Sequence, residues 1–276
     1  MATQLPHDAA RPATAHPDAA HGSGERRRPL WPWITLGVLL VLLVGAFFVV
    51  DSVARGIARD EIATRVTSAL GLPAGTPVEV EVGGGPVLIQ LATGRLDSVD
   101  VSIQDATFGN LTGDMEVHAE GIPLDPNAPT SLVEVRYAMP ESEVAEFSDE
   151  LAGLPLDSIT LEGSEIVTAT TFQLFGVPIS VGMGLEPSAG AAGEIVFTPT
   201  TITVQGQEFS ADSLRTAPGF GQLAAALLQQ QPVCIAQELP AALVLDRISV
   251  EGDELVAQLS AHDAALASFT TKGTCA

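Results

Sequence analysis

LDSITLEGSEIV, residues 156–167, and LDRISVEGDELV, residues 245–256, are identical at seven of their twelve positions. Each reads as strand, turn, strand. The flanks fit paired strands, and a central glycine, Gly163 or Gly252, supplies the positive φ that a tight hairpin requires. A fainter third copy begins at Arg95-Leu96-Asp97-Ser98-Val99. A chain that repeats such units is built of hairpins in an antiparallel sheet, in two related halves, and not of βαβ units.

The same period runs upstream. Val78, Val80 and Val82 alternate with Glu79 and Glu81, and Val99, Val101 and Ile103 with Asp100 and Ser102. Met115, Val117 and Ala119 alternate with Asp114, Glu116 and His118. These patterns predict half-buried strands with one solvated face, separated by Gly, Pro and Asn turns. A further strand is expected near residues 133–137. Pro140 then opens a short helix in which Val144, Phe147 and Leu151 share a face, and GFGQLAAALLQQQ, residues 219–231, reads as another. Nearer the N-terminus, Val53, Ile57, Ile62, Val66 and Leu70 recur at helical spacing until Gly71 and Pro73 stop the helix.

That helix is preceded by WPWITLGVLLVLLVGAFFVV, residues 31–50, which carries no charge and follows Arg26, Arg27 and Arg28. At 1.5 Å per residue the run spans about 30 Å, the thickness of a bilayer's hydrocarbon core. Its two Trp fit an interfacial belt, and the arginines predict a cytoplasmic N-terminus with residues 51–276 extracytoplasmic. The triplet Ser52-Val53-Ala54 would suit a signal peptidase, and paired arginines also precede twin-arginine signals. The apolar run exceeds a signal peptide's usual h-region and the tail before it is long, which favours a retained single-pass anchor over a cleaved one. The expected organisation is a disordered cytoplasmic tail over 1–28, a transmembrane anchor over 29–50 that continues into the following helix as one rod, and a β-rich extracytoplasmic domain over 51–276. The fold class is α+β, with the long helix packed on a curved antiparallel sheet of repeated hairpins.

The chain has 12 Lys and Arg against 34 Asp and Glu, a formal net charge of −22. Four of the arginines precede the membrane run, so the domain beyond it is strongly acidic. Such a field repels polyphosphates, and no basic cluster interrupts it, which excludes nucleic acid as a natural partner. Cys234 and Cys275 are the only cysteines. Both fall in the segment assigned outside, where thiols oxidise, and a disulfide between them is the expected state. They lack CxxC spacing and a neighbouring His, so neither a metal nor a redox role is read from them.

Catalytic chemistry finds few candidates. His118 and His262 are the domain's only histidines and neither sits in a nucleophile or zinc motif. Gly83-Gly84-Gly85-Pro86 lacks the Lys-Ser/Thr of a phosphate loop and reads as a strand-to-strand turn. The carboxylates alternate with apolar residues instead of forming calcium loops. No enzyme activity, cofactor or metal is therefore expected. What stands out is apolar sequence beyond the needs of a one-sided sheet: GPVLIQLATG, TFQLFGVPISVGMG and GEIVFTP. Such runs serve as ordinary core or line a slot for acyl chains, each buried methylene contributing about 0.8 kcal/mol. The candidate lining is Val87, Leu88, Ile89 and Leu91, together with Phe172, Leu174, Phe175, Val177 and Met183.

The order of segments carries a resemblance. A helix leading to Leu-Gly-Leu-Pro is followed by GPVLIQLATGRLDSVDVSI, a Gly-Ile-Pro-Leu corner, FGVPISVGMGLEP, GEIVFTPTTITVQG and CIAQELPAALVLDRISVEGDELV. In this it resembles the LmeA-type phospholipid-binding family of actinobacterial cell envelopes, over nearly all of residues 51–266. The resemblance implies a curved sheet wrapped around a long helix, an apolar groove for phospholipid, a supporting role in lipid or lipoglycan assembly, and no catalysis. It also implies an aromatic-rich strand after the glycines, where this chain has GPVLIQL. The implied partners are a phospholipid or related amphiphile, the membrane, and other envelope proteins. The alternative reading is a tethered, non-catalytic scaffold that meets an envelope protein by a sheet edge or by its acidic face.

Overall fold

The structure, a computed structural model, describes residues 31–276 apart from 71, 74, 109–110, 152–156, 217–227, 238 and 276. The side chains of 31–35, 69, 108, 111, 147–151, 172, 174, 192 and 231 also lie outside the description. The tail expected over 1–28 and most of the helix read over 219–231 therefore fall outside the described residues. By its internal contacts the chain divides into two compact units, Met1–Ala46 and Phe47–Ala276.

The described part of the first unit is helical. It belongs to α1 (Trp31–Leu70), a 40-residue helix with no break at the end of the apolar run. Within it, Leu36–Ser68 contains a window long and apolar enough to cross a membrane.

The second unit is α+β, as the sequence predicts, and its hairpins are arranged in two antiparallel sheets. The first contains β1 (Val78–Val82), β2 (Arg95–Phe108), β3 (Leu111–Pro123), β4 (Pro129–Pro140), β11 (Val244–Glu251) and β12 (Glu254–Ala265), in the order β1-β2-β3-β4-β12-β11. The second contains β5 (Ser158–Glu162), β6 (Glu165–Leu174), β7 (Val177–Ala189), β8 (Glu194–Val204) and β10 (Gln231–Cys234), in the order β10-β8-β7-β6-β5. A short β9 (Gln207–Ser210) folds back on β8. The repeated sequences form hairpins β5–β6 and β11–β12, one in each sheet, with Gly163 at φ 64° and Gly252 at φ 70° in their turns.

Cross-strand register explains the first sheet's two faces. Val80, Val101, Val117 and Val135 pair in one row, and Val78, Ile103, Met115 and Tyr137 in another. Directly paired residues share a face, so one face is continuous Val, Ile and Met while Glu81, Asp100, His118 and Glu134 line the other. Over β1 to β3 the apolar face is closed by Ala58, Ile62, Ala63, Val66 and Leu70 of α1. Ile103 and Val82 are buried there. Over β12 and β11 the same face meets the second sheet, where Leu161, Ile166, Ile248, Val250 and Leu255 form a second cluster with Val144 of α3 (Glu141–Leu151). Val135 and Tyr137 touch both clusters.

Two local readings are corrected. Val53 and Ile57 are exposed, because the helix turns Asp51, Arg55 and Ala58 inward at that level. GPVLIQLATG contains no strand: residues Val87–Thr93 are a helix, α2, stopped by Gly94 at φ 75°. The triglycine accordingly joins a strand to a helix. Pro86 at its N-cap position has φ −57°, already close to helical, which helps start so short an element.

Candidate functional site

The second sheet has one apolar face, and only part of it is closed. Register places Thr168, Met183, Ile202 and Phe209 in one row across β6, β7, β8 and β9. Thr170, Val181, Val204 and Gln207 form the next, and Phe172 pairs with Ile179 in the row beyond. On the same face, Ile166, Leu185 and Phe197 belong to the second core cluster. Moving away from that cluster, Met183, Val181, Ile179 and Ile202 are only half-buried and Val204 and Phe209 are exposed. The opposite face carries Ser180, Gly182, Gly184, Thr201 and Thr203, with the Thr201 hydroxyl donating to the Glu165 carboxylate at 3.3 Å and Glu208 paired with Thr203.

The open half has a defined border. On one side α4 (Ala211–Thr216) packs Ala211 and Leu214 with Ile202 and Leu228. Arg215 holds that corner by donating to the Leu228 carbonyl at 3.2 Å and pairing with Asp212 at 2.9 Å. At the far end are two tight hairpin turns, Phe175-Gly176 and Gln205-Gly206, with both residues of each at positive φ. A carbonyl–amide bond reinforces the second: the Gln205 side chain donates to Pro178 O at 2.8 Å, tying the two turns together. Below them, Cys234 on β10 is disulfide-bonded to Cys275, fixing the outer strand of this sheet to the C-terminal segment.

The candidate residues fall in two separate places. Val87 is fully buried in the first cluster beneath α1, Leu88 is half-buried, and Ile89 and Leu91 of α2 are exposed. Met183 lies on the second sheet's half-open face, Val177 is exposed at the start of β7, and Phe175 is 98% exposed in its turn. Phe172 and Leu174 have described backbones within β6, and their side chains lie outside the described residues. Val87 and Met183 share no core cluster. The sequence reading did not single out Ile202, Val204 and Phe209, although the alternation Ile202, Val204 either side of Thr203 was the signal that assigns them to this face.

The first sheet's other face is chemically different. A concave hollow of about 580 Å³ is bordered by Glu79, Glu81, Asp100, Glu116, His118 and Glu134. His118 sits 2.6 Å from Asp100 through Nδ1 and 3.3 Å from Glu120 through Nε2. Hydrogen bonds to Asp100 and then Glu120 hold its pKa above the usual histidine value. Arg136 reaches Glu251 at 3.4 Å. On the apolar side of the same sheet, burial pushes the Tyr137 hydroxyl up to about 12, with Glu143 and Asp114 adding to it. It therefore stays protonated and donates to Ala106 O at 3.2 Å. An anionic head group meets repulsion on the acidic face of the first sheet.

Among the described residues, no group of three or more His, Cys, Asp or Glu is placed to hold a metal ion. The half-buried face of the second sheet is apolar and bordered by a helix and two tight turns. No curated protein and no solved structure matches the chain. Residues 49–260, most of the sequence and all of the second unit's two-sheet framework except its last segment, match the family described as LmeA-like phospholipid-binding, and to that family this chain belongs.

Proposed function

We propose that this chain is a single-pass cell-envelope protein, its N-terminus cytoplasmic and residues 51–276 extracytoplasmic, that binds phospholipid acyl chain on the open half of the second sheet. The observation that carries this reading is the row Met183, Ile202 and Phe209 with its neighbours Val181 and Val204. These are aliphatic or aromatic positions left half-buried or exposed, in a molecule whose other sheet buries Val80, Val101, Ile103 and Met115 on its apolar face. Membership of a phospholipid-binding family supports it. Binding needs no cationic site, because a buried methylene contributes about 0.8 kcal/mol and one acyl chain presents more than a dozen. Phe175 and Val177, exposed at the open end of the same hairpin, form the mouth of the site. Its role is non-catalytic, supporting assembly of lipids or lipoglycans by holding a lipid away from the bilayer.

The test is native mass spectrometry of the full chain expressed in an envelope-bearing host, with extraction of whatever is bound. One phospholipid per chain, lost in a folded Met183→Asp, Ile202→Asp variant, is the expected result. A folded chain that arrives empty and takes up no labelled phosphatidylglycerol from added vesicles overturns the reading.

A further inference from the structure

We propose that α2 and two neighbouring loops form an apolar foot that rests in the head-group region of the bilayer in which α1 is anchored. The inference rests on the membrane-spanning reading of α1 and not on lipid binding by the second sheet. Asp51 is the first charged residue after the apolar run, so the hydrocarbon boundary lies at about its level. Its carboxylate is buried, accepts the Leu88 N–H of α2 at 3.0 Å and pairs with Arg55 at 3.6 Å. Arg55 in turn donates to the carbonyls of Val82 and Gly85. The first turn of α2 is thus held at the height where the apolar run ends.

The rest of that end of the sheet follows from its topology. β2 leaves from α2, β3 returns to the same end, and the Leu124 N–H after it donates to Gly94 O at 2.9 Å. β4 starts there at Pro129, opposite Ala265 at the end of β12. The next turn, Leu266–Thr270, is joined to the β3–β4 loop by Ala267 N–H to Pro126 O at 3.1 Å. Three separate segments therefore share one end of the first sheet, and each exposes a large aliphatic: Ile89 at 53%, Leu91 at 40%, Leu124 at 51% and Leu266 at 41%. At the sheet's opposite end the β11–β12 turn exposes Glu251, Gly252 and Asp253. On α1, Val53 and Ile57 are exposed just above Asp51, and Arg59, Asp60 and Glu61 follow one turn later. The apolar surface stops where a head-group layer gives way to water. Asp125, in the same loop as Leu124, folds its carboxylate onto its own turn, accepting the Asn127 N–H at 2.9 Å.

A short helix that exposes aliphatic side chains and is tethered at the boundary rests at the interface without needing affinity of its own. The occupant is the anchor's own leaflet, because Asp51, the first charge after the apolar run, holds the first turn of α2.

The experiment uses the full chain, with its disulfide intact, in vesicles of phosphatidylethanolamine and phosphatidylglycerol that contain lipid spin-labelled near the head group. Single cysteines replacing Ile89, Leu91, Leu124 or, as control, Asp253 carry an environment-sensitive fluorophore. The expected result is a blue-shifted emission and about threefold stronger quenching at 89, 91 and 124 than at 253, as for side chains entering the head-group boundary. Hydroxyl-radical footprinting of the unsubstituted chain in the same vesicles supplies an independent reading, with Ile89, Leu91 and Leu124 oxidised several-fold less than exposed Val244. Labels at 89, 91 and 124 as wet as at 253, or footprinting equal to Val244, overturn the proposal; lipid retention by the second sheet is unaffected by either outcome.

Discussion

The two hairpins with matching sequences, β5–β6 and β11–β12, meet in one core yet belong to sheets with opposite fates. Leu161 and Ile166 in one occupy the positions of Val250 and Leu255 in the other, and all four are buried in the same cluster. Beyond that shared cluster the first sheet continues under α1, which seals Val80, Val101, Ile103 and Met115. The second sheet continues past Leu185 to Met183, Val181 and Ile202, where coverage thins. The same strand chemistry gives core in one place and an open apolar surface in the other. The difference lies in the element laid across it, not in the strands.

The sharpest way to break that comparison is to put a carboxylate on each side. Val101→Asp places an unpaired charge beneath α1 and is expected to cost several kcal/mol, enough to unfold the domain in circular dichroism or thermal melts. Met183→Asp on the half-open face is expected to leave a cooperative melt and remove lipid retention. If both variants unfold alike, the second sheet's face is closed core and the site is lost with it.

Smaller effects sharpen the picture. Replacing Cys234 and Cys275 with Ser opens a 41-residue separation that holds β10 against β8, and is expected to cost about 2–4 kcal/mol, read by denaturant melts under non-reducing conditions. Asp51→Ala removes the acceptor for Leu88 N–H and the partner of Arg55, and should cost about 1–2 kcal/mol. Hydrogen exchange of α2 amides would show the loosening directly. Thr130 is fully buried in β4 with its hydroxyl unpaired, so Thr130→Val is expected to raise the melting point, by a gain of about 1 kcal/mol or less.

The least effect belongs to the acidic face. His118 has a raised pKa in the fold, so its contribution is complete below the unfolded value near 6.5 and is lost as pH rises through the folded one. With the side chain 37% exposed, solvent screening limits this to about 0.5 kcal/mol, so His118→Ala should lower stability slightly at pH 5.5 and not at pH 8.5.

The strands were legible because a period of two with polar partners has one geometric solution, and Gly163 and Gly252 mark the turns by the φ they must adopt. The disulfide was legible because two cysteines in one compartment leave one pairing. α2 was not. Val87-Leu88-Ile89-Gln90-Leu91 is apolar over a length at which helix and strand share a pattern, and Pro86, Gly94 and the Asp51 carboxylate 37 residues away decide for helix. On α1, the exposed Val53 and Ile57 continue the spacing of the half-buried Ile62 and Val66 face, so spacing alone does not mark where burial ends.

Sequence alone determined a membrane-length apolar helix, an acidic β-rich domain built of hairpins, and the alternation that gives each strand an apolar and a polar side. Those are local properties, set by charge, hydrophobic period and backbone sterics within a few residues. Only the tertiary structure decided that the strands divide into two sheets, that α1 closes one of them, and that Met183, Val181 and Ile202 are left half-covered. Coverage depends on which distant element packs on a face, and no spacing within a strand encodes that.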